Sequence, residues 1–132
     1  MLAGVNRRLG RGDMKTILIV EDELILTEVI SAVLEDAGYR VVTVGDGRAG
    51  LAALPTVQPD LVLCDVMMPV MDGREMCRRM QADPTFRDIP VVLMTAAPTV
   101  VSPTDCKYAA LIRKPFDLDR LLDVISALAG VE

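Results

Sequence analysis

The sequence predicts an α/β domain with a doubly wound, parallel, five-stranded sheet. Five short apolar runs alternate with segments whose apolar residues recur at helical spacing, and this alternation is typical of strand–helix units joined by right-handed crossovers. The 132 residues fit one domain, and a hydrophobic content of 52% supplies its core. No apolar run approaches the roughly 18 residues that a membrane span needs, so we expect no membrane partner.

Three strands and two helices are predicted in the first half of the chain. Residues 1–13 are rich in Gly and Arg without periodicity, so we interpret them as a flexible N-terminal tail and residues 14–132 as the folded domain. A helix that begins near Leu24 is expected to end at Gly38, and a short helix over Arg48–Leu54 is expected to end at Pro55. The strands are continuous apolar runs, typical of a sheet buried on both faces: Thr16–Val20, Arg40–Val44 and Leu61–Asp65.

The second half of the chain contains the remaining strands and a segment that disfavours a long helix. Asp72 is a predicted N-cap for a helix over Gly73–Gln81, and Asp117 is a predicted N-cap for the last helix. Two prolines in the segment after residue 96 cannot both lie inside one uninterrupted helix, so we expect a shortened or irregular fourth helix at about Pro103–Tyr108. The last two strands are predicted at Pro90–Thr95 and Ala109–Ile112.

Ionisable or hydroxyl-bearing side chains lie at the carboxyl ends of four predicted strands. They are Glu21 and Asp22 after the first strand, Asp65 at the end of the third, Thr95 at the end of the fourth and Lys114 after the fifth. Because the carboxyl ends of parallel strands meet at one edge of a sheet, we expect these side chains to converge. Each alone could be a solvated charge or a helix cap, but clustered carboxylates indicate a hard divalent cation such as Mg²⁺. Together with the lysine and the hydroxyl, they suit an aspartyl-phosphate site.

Charge and composition exclude several classes of function. Nineteen acidic residues against fourteen basic residues give a net charge of −5, and no basic face is visible, so we expect no nucleic acid partner. The chain contains no histidine, which excludes Ser-His-Asp and Cys-His catalysis. The three cysteines lack C-x-x-C spacing, so we expect reduced thiols in a cytoplasmic protein.

The chain resembles the receiver domain of two-component response regulators in four segments: ILIVEDE, DLVLCDVMMPVMDG, PVVLMTA and RKPF. The resemblance covers roughly residues 14–130. Thirty positions separate Asp65 from Thr95, which is the separation usual in the family. The resemblance implies a flavodoxin-like or CheY-like fold with strand order 2-1-3-4-5 and five helices.

The resemblance also implies a role for each residue of the predicted site. Asp65 would be the phosphoacceptor, Thr95 would bond the phosphoryl group and Lys114 would pair with it. Pro69 and Gly73 would shape the loop after the third strand, and the Lys114–Pro115 peptide bond would be cis. The implied Mg²⁺ ligands are the carboxylates of Glu21, Asp22 and Asp65 and the backbone carbonyl of Met67.

A receiver of this kind accepts a phosphoryl group and signals by a change of conformation. Because the chain has no histidine and no kinase motif, the donor must be external, and the resemblance implies a histidine kinase or a histidine phosphotransfer protein. The protein would catalyse only its own phosphorylation and dephosphorylation and would not otherwise be an enzyme. We expect a monomer or a weak dimer that acts on a downstream protein target.

Three alternatives accompany this interpretation. The ending directly after the last helix favours a stand-alone regulator or phosphorelay shuttle over the receiver portion of a longer protein such as a hybrid histidine kinase. An aspartyl-phosphate phosphatase of the haloacid dehalogenase type is disfavoured, because Asp65 does not begin a D-x-D motif. Residues 45–50 match G-x-G-x-x-G, but they follow the second strand instead of the first, which argues against a dinucleotide site.

One departure from the family pattern and the residue types at two positions near the phosphorylation site predict how the protein signals and how fast it loses its phosphoryl group. Leu111 stands where receivers usually carry an aromatic residue, so we expect the signal to leave through the loop at 96–108 or through the first helix. Met67 and Ala97 lie two residues beyond the phosphoacceptor and the threonine. Since neither side chain can hydrogen-bond a water molecule, we expect slow autodephosphorylation.

Overall fold

The computed structural model describes residues 14–96 and 106–130. These residues form five strands and four helices. The strands are β1 (Thr16–Val20), β2 (Arg40–Val44), β3 (Leu61–Asp65), β4 (Val91–Thr95) and β5 (Ala110–Arg113). The helices are α1 (Leu24–Asp36), α2 (Gly47–Val57), α3 (Gly73–Ala82) and α4 (Leu118–Ala129). The predicted tail, residues 1–13, lies outside the described residues.

The five strands form one parallel sheet in the order β2-β1-β3-β4-β5, which confirms the predicted topology. The register aligns the carboxyl ends of the central strands, because Val20 pairs with Cys64 and Asp65 pairs with Met94. Residues that follow these strands therefore emerge at one edge of the sheet.

The core has two layers, one on each face of the sheet, because successive strand residues point to opposite faces. One layer joins the sheet to α2 and α3, and the other joins it to α1 and α4. The strands β1, β3 and β4 are buried along their whole length, which explains why they are continuous apolar runs. Among the described residues, no helix is long and apolar enough to cross a membrane.

The predicted ends of α1 and α4 are confirmed. Gly38 has a φ of 100°, its N–H donates to Glu35 O at 3.0 Å, and Tyr39 N–H donates to Leu34 O at 3.0 Å. This pair of bonds ends a helix when the residue after its C-cap has positive φ, and here that residue is Gly38. Asp117 caps α4, since its side chain accepts a hydrogen bond from Asp119 N–H at 2.8 Å.

The predicted end of α2 is wrong, because the helix continues through Pro55 to Val57. Proline removes one N–H, which would donate to the carbonyl of Leu51, but the buried side chain of Leu54 packs in the core and holds the last turn in place. Gln58 then ends the helix with a left-handed φ of 50°, and its N–H donates to Leu54 O at 2.9 Å.

The predicted fourth of the five helices, at about residues 103–108, falls largely outside the described residues. Residues 97–105 belong to the part that the structure does not describe, and Cys106–Tyr108 are not helical. Four helices therefore account for the described part of the chain.

Candidate functional site

Three carboxylates meet at the carboxyl edge of the sheet. Glu21 and Asp22 follow β1, Asp65 ends β3, and one oxygen from each lies within 4.8 Å of the others. We call these three residues the acidic cluster. Glu21 and Asp65 are buried, whereas Asp22 is exposed. This proximity confirms the prediction that the three acids converge.

A single lysine reaches the acidic cluster from the loop after β5. Lys114 Nζ lies 3.0 Å from an oxygen of Glu21 and 3.4 Å from an oxygen of Asp65. The backbone N–H of Lys114 donates to Thr95 O at 2.8 Å, and the Lys114–Pro115 bond is cis, as predicted. Thr95 is buried at the end of β4, beside the strand that ends in Asp65.

Burial is the largest influence on the pKa values of the two buried acids, Glu21 and Asp65. It raises the pKa of Asp65, which the Lys114 ammonium partly offsets and the neighbouring Asp22 reinforces. Burial likewise raises the pKa of Glu21, against the hydrogen bond from Lys114. For Lys114 the same burial lowers the pKa, but the hydrogen bond to Glu21 and the charge of Asp65 outweigh it and the net shift is upward. The acidic cluster therefore brings three carboxyl groups together beside one lysine.

This donor set fits a hard divalent cation. Carboxylate oxygens are the ligands that Mg²⁺ takes in proteins, and it is usually bound through one or two carboxylates with the remaining positions left to water or substrate. The acidic cluster offers its oxygens close together at the open edge of the sheet, where Asp22 is exposed to solvent.

The loop between β3 and α3 folds tightly against the end of β3. A side chain at Gly73 would collide with the backbone carbonyl of Asp65, so this position accepts only glycine without a shift of the loop. Val70 has a φ of 70°, and Met71 N–H donates to Pro69 O at 2.8 Å, which makes a three-residue turn centred on Val70. A positive φ is strained for a β-branched residue.

Exposed apolar side chains flank the acidic cluster on two sides. On α1 they are Leu24, 70% exposed, and Ile25, 73% exposed. On the β3–α3 loop they are Met67, 60% exposed, and Val70, 75% exposed. The two segments that follow Asp22 and Asp65 in the chain therefore expose apolar side chains.

Two of the three glycines of the G-x-G-x-x-G segment, Gly47 and Gly50, serve packing. A Cβ at Gly47 would lie 2.7 Å from Met71 O, and one at Gly50 would lie 2.8 Å from Met76 Cε. The side chain of Asp46 caps α2 by accepting from Ala49 N–H at 2.8 Å. These contacts let α2 approach the β3–α3 loop and α3, which gives the glycines a role that needs no nucleotide.

Of the residues behind the predictions on signal output and autodephosphorylation, the structure describes Leu111 but not Ala97. Leu111 is half-buried and packs against the core layer that contains α2 and α3. Ala97 lies outside the described residues. Thr27, a buried residue of α1 spaced with Ile30 and Leu34 on the inner face of the helix, was not predicted to lie near the site. A polar residue in that apolar stripe was the available signal.

Comparison with known proteins gives a consistent assignment. The family model of the response regulator receiver domain matches residues 17–126. The chain is 36% identical over 118 residues to the DNA-binding dual master transcriptional regulator RpaA of Synechocystis, an alignment that covers 87% of this chain and 49% of RpaA. It is 36% identical over 129 residues to the transcriptional regulatory protein TcrA of Mycobacterium tuberculosis, covering 96% of this chain and 50% of TcrA. The chain thus spans about half the length of these relatives.

Solved structures show the same fold. The receiver domain of the sensor histidine kinase PA1611 from Pseudomonas aeruginosa, with magnesium coordinated in its active site cleft, matches with a TM-score of 0.79 and 28% identity, covering 89% of this chain and 98% of that one. The chemotaxis protein CheY4 of Vibrio cholerae matches with a TM-score of 0.80 and 28% identity, covering 87% and 98% of the two chains.

These relatives correct one expectation, that nucleic acid has no part in the function. RpaA is a DNA-binding regulator by name, and so is MtrA of Mycobacterium tuberculosis, which is 40% identical over 80 residues, 61% of this chain and 34% of MtrA. The net charge of 132 residues reports only on the surface of those residues, so an acidic balance here does not exclude DNA from the function. The matched family model, the matched fold and the acidic cluster all point to the same family, and the chain belongs to the response regulator receiver domain family.

Proposed function

We propose that this receiver accepts a phosphoryl group on Asp65 from a phosphohistidine of a histidine kinase or a histidine phosphotransfer protein. The observation that carries the proposal is the position of the Asp65 carboxylate. It ends a buried strand at the open edge of the sheet, with the Lys114 ammonium 3.4 Å from one of its oxygens and two further carboxylates beside it.

The acidic cluster would hold Mg²⁺ through carboxylate oxygens of Glu21, Asp22 and Asp65, together with the backbone carbonyl of Met67. When bound, the ion supplies positive charge that offsets the negative charges of the carboxylate and of the incoming phosphoryl group. The excess of carboxylates over the single lysine supports this assignment, since the site otherwise holds uncompensated charge.

In the proposed transfer, a carboxylate oxygen of Asp65 attacks the phosphorus atom of the phosphohistidine. An O–P bond forms, the P–N bond breaks, and the donor histidine leaves with the electron pair and takes up a proton from solvent. Lys114, which already faces Asp65, would pair with a phosphoryl oxygen. The Thr95 hydroxyl would donate a hydrogen bond to another phosphoryl oxygen.

Two further observations support the choice of partners. The apolar side chains around the acidic centre suit a protein donor, because such side chains are buried when two proteins associate. RpaA and MtrA carry DNA-binding names, and we propose that phosphorylation of this receiver regulates a DNA-binding output of that kind. The cytoplasmic location expected from the sequence stays a prediction.

Substitution of Asp65 by Asn tests the proposal. The wild-type chain should gain one phosphoryl group per molecule from phosphoramidate or acetyl phosphate in the presence of Mg²⁺, measured by intact mass. Asp65→Asn should gain none, whereas Asp88→Asn, in an exposed loop, should behave as wild type. Full incorporation by Asp65→Asn contradicts the proposal. Steady turnover of a phosphomonoester would instead indicate the phosphatase alternative.

A further inference from the structure

A cavity adjoins the acidic cluster on the side of α1 and β2. It has a volume of about 280 Å³ and is lined by Glu21 and Asp22, by Thr27 of α1, and by Thr43 and Gly45 at the end of β2. Asp65 does not line it, and none of the residues that line it is basic. Leu24 and Val44 complete the described lining, so the cavity has largely apolar walls that carry two acidic side chains and two threonines.

Thr27 contributes a hydroxyl that lacks a partner. The residue is 7% exposed, and among the described residues its Oγ1 is the one buried side-chain oxygen or nitrogen without a hydrogen bond. Buried hydroxyls are nearly always satisfied by protein or by ordered water. A water molecule occupies roughly 30 Å³ of liquid and needs two to four polar partners, and the cavity meets both conditions.

Asp22 differs from the other two acids in how it is held. Glu21 accepts hydrogen bonds from Lys114 Nζ at 3.0 Å and from Glu23 N–H at 3.1 Å. Asp65 faces the same Lys114 ammonium. No described residue donates a hydrogen bond to the exposed Asp22 side chain, so solvent sets the orientation of its carboxylate.

We propose that Thr27 is a positioning residue of the metal site, and that its hydroxyl holds a water molecule in this cavity which orients the Asp22 carboxylate. The inference rests on the proposed function, because Asp22 needs a fixed orientation only as a cation ligand. Groups that hydrogen-bond to metal ligands orient those ligands, and their removal weakens metal binding. The water would connect α1 to the acidic cluster without any direct contact between Thr27 and the ion.

The test compares Thr27→Val with Thr27→Ser in the full chain. Valine has nearly the shape of threonine without the hydroxyl, whereas serine keeps the hydroxyl and loses the methyl group. Mg²⁺ affinity is measured by isothermal titration calorimetry, and folding is followed by urea denaturation in EDTA. We expect Thr27→Val to bind Mg²⁺ about tenfold more weakly. Thr27→Ser should bind as wild type does, and the metal-free urea midpoint of Thr27→Val should be unchanged.

Several outcomes overturn the inference. If Thr27→Val binds Mg²⁺ as tightly as wild type does, the Thr27 hydroxyl holds no water that orients a metal ligand. A raised urea midpoint in Thr27→Val would strengthen that conclusion. Equal weakening in both variants would show that packing at this position matters and the hydroxyl does not. The proposed function fails separately, if the wild-type chain itself neither binds Mg²⁺ nor accepts a phosphoryl group.

Discussion

Replacing Val70 by glycine tests the strain that we assign to the β3–α3 loop. Val70 has a φ of 70° at the centre of the turn closed by Met71 N–H and Pro69 O. The left-handed region costs an L-residue about 1–2 kcal/mol, and glycine removes this cost. Glycine also loses about 0.5–1 kcal/mol more backbone entropy on folding than alanine does. At this position the strain outweighs the entropy.

The comparison of Val70→Gly with Val70→Ala isolates the backbone. Both variants lose the same few contacts of a side chain that is 75% exposed, but alanine keeps the strain. Taking the middle of each range, about 1.5 kcal/mol of strain less about 0.75 kcal/mol of entropy, Val70→Gly should exceed Val70→Ala in free energy of unfolding by about 0.7 kcal/mol. That corresponds to a difference of roughly 2–4 °C in Tm.

Urea denaturation and thermal melts of the metal-free protein measure this difference. The same Gly and Ala pair at Asp88, an exposed loop residue without positive φ, is the control, and there alanine should be the more stable. The sign of the difference should therefore reverse between the two positions. A Val70→Ala protein as stable as Val70→Gly would refute the assignment of strain.

Three further variants probe the site and the loop. Gly73→Ala should lower the free energy of unfolding by about 2 kcal/mol in urea, because its Cβ would collide with Asp65 O. Lys114→Met should cost about 2 kcal/mol at pH 7 without metal, since the buried carboxylates lose their ammonium partner. Burial already raises the pKa of the Glu21 and Asp65 carboxyls, and the loss of Lys114 raises it further. The loss of stability in Lys114→Met is therefore fully present above the folded-state pKa of these carboxyls and should shrink as the pH falls through it. A loss of stability that is independent of pH would contradict this explanation. The double variant Met67→Asn, Ala97→Glu should lose its phosphoryl group faster than wild type, measured as decay of the phosphorylated protein by mass, and equal decay would refute the prediction of slow autodephosphorylation.

The sheet and its acidic edge could be predicted because the controlling physics is local. Strands buried on both faces are continuous apolar runs, and parallel strands bring their carboxyl ends together. Glu21 and Asp65 could therefore be placed side by side from the sequence. The helix ends at Gly38 and Asp117 were also predictable, since each depends on the chemistry of one residue.

The features that escaped prediction depend on tertiary contacts. Pro55 ends a helix by local rules, yet α2 continues, because the buried Leu54 and the hydrogen bond from Gln58 N–H to Leu54 O hold its last turn. The turn at Val70 has no glycine to signal it, and the packing around Gly73 and Asp65 holds the loop there. The partnerless hydroxyl of Thr27 could be recognised only when the neighbours of α1 were known.

The contact between Lys114 and Glu21 joins residues 93 positions apart in the chain, one after the first strand and one after the last. A ligand bound at that junction therefore bridges both ends of the domain and opposes its global opening. Occupancy at one hundred times the dissociation constant adds about 2.7 kcal/mol to the folded state. Protease susceptibility would then report on ligand occupancy, because cleavage follows the population of the open form.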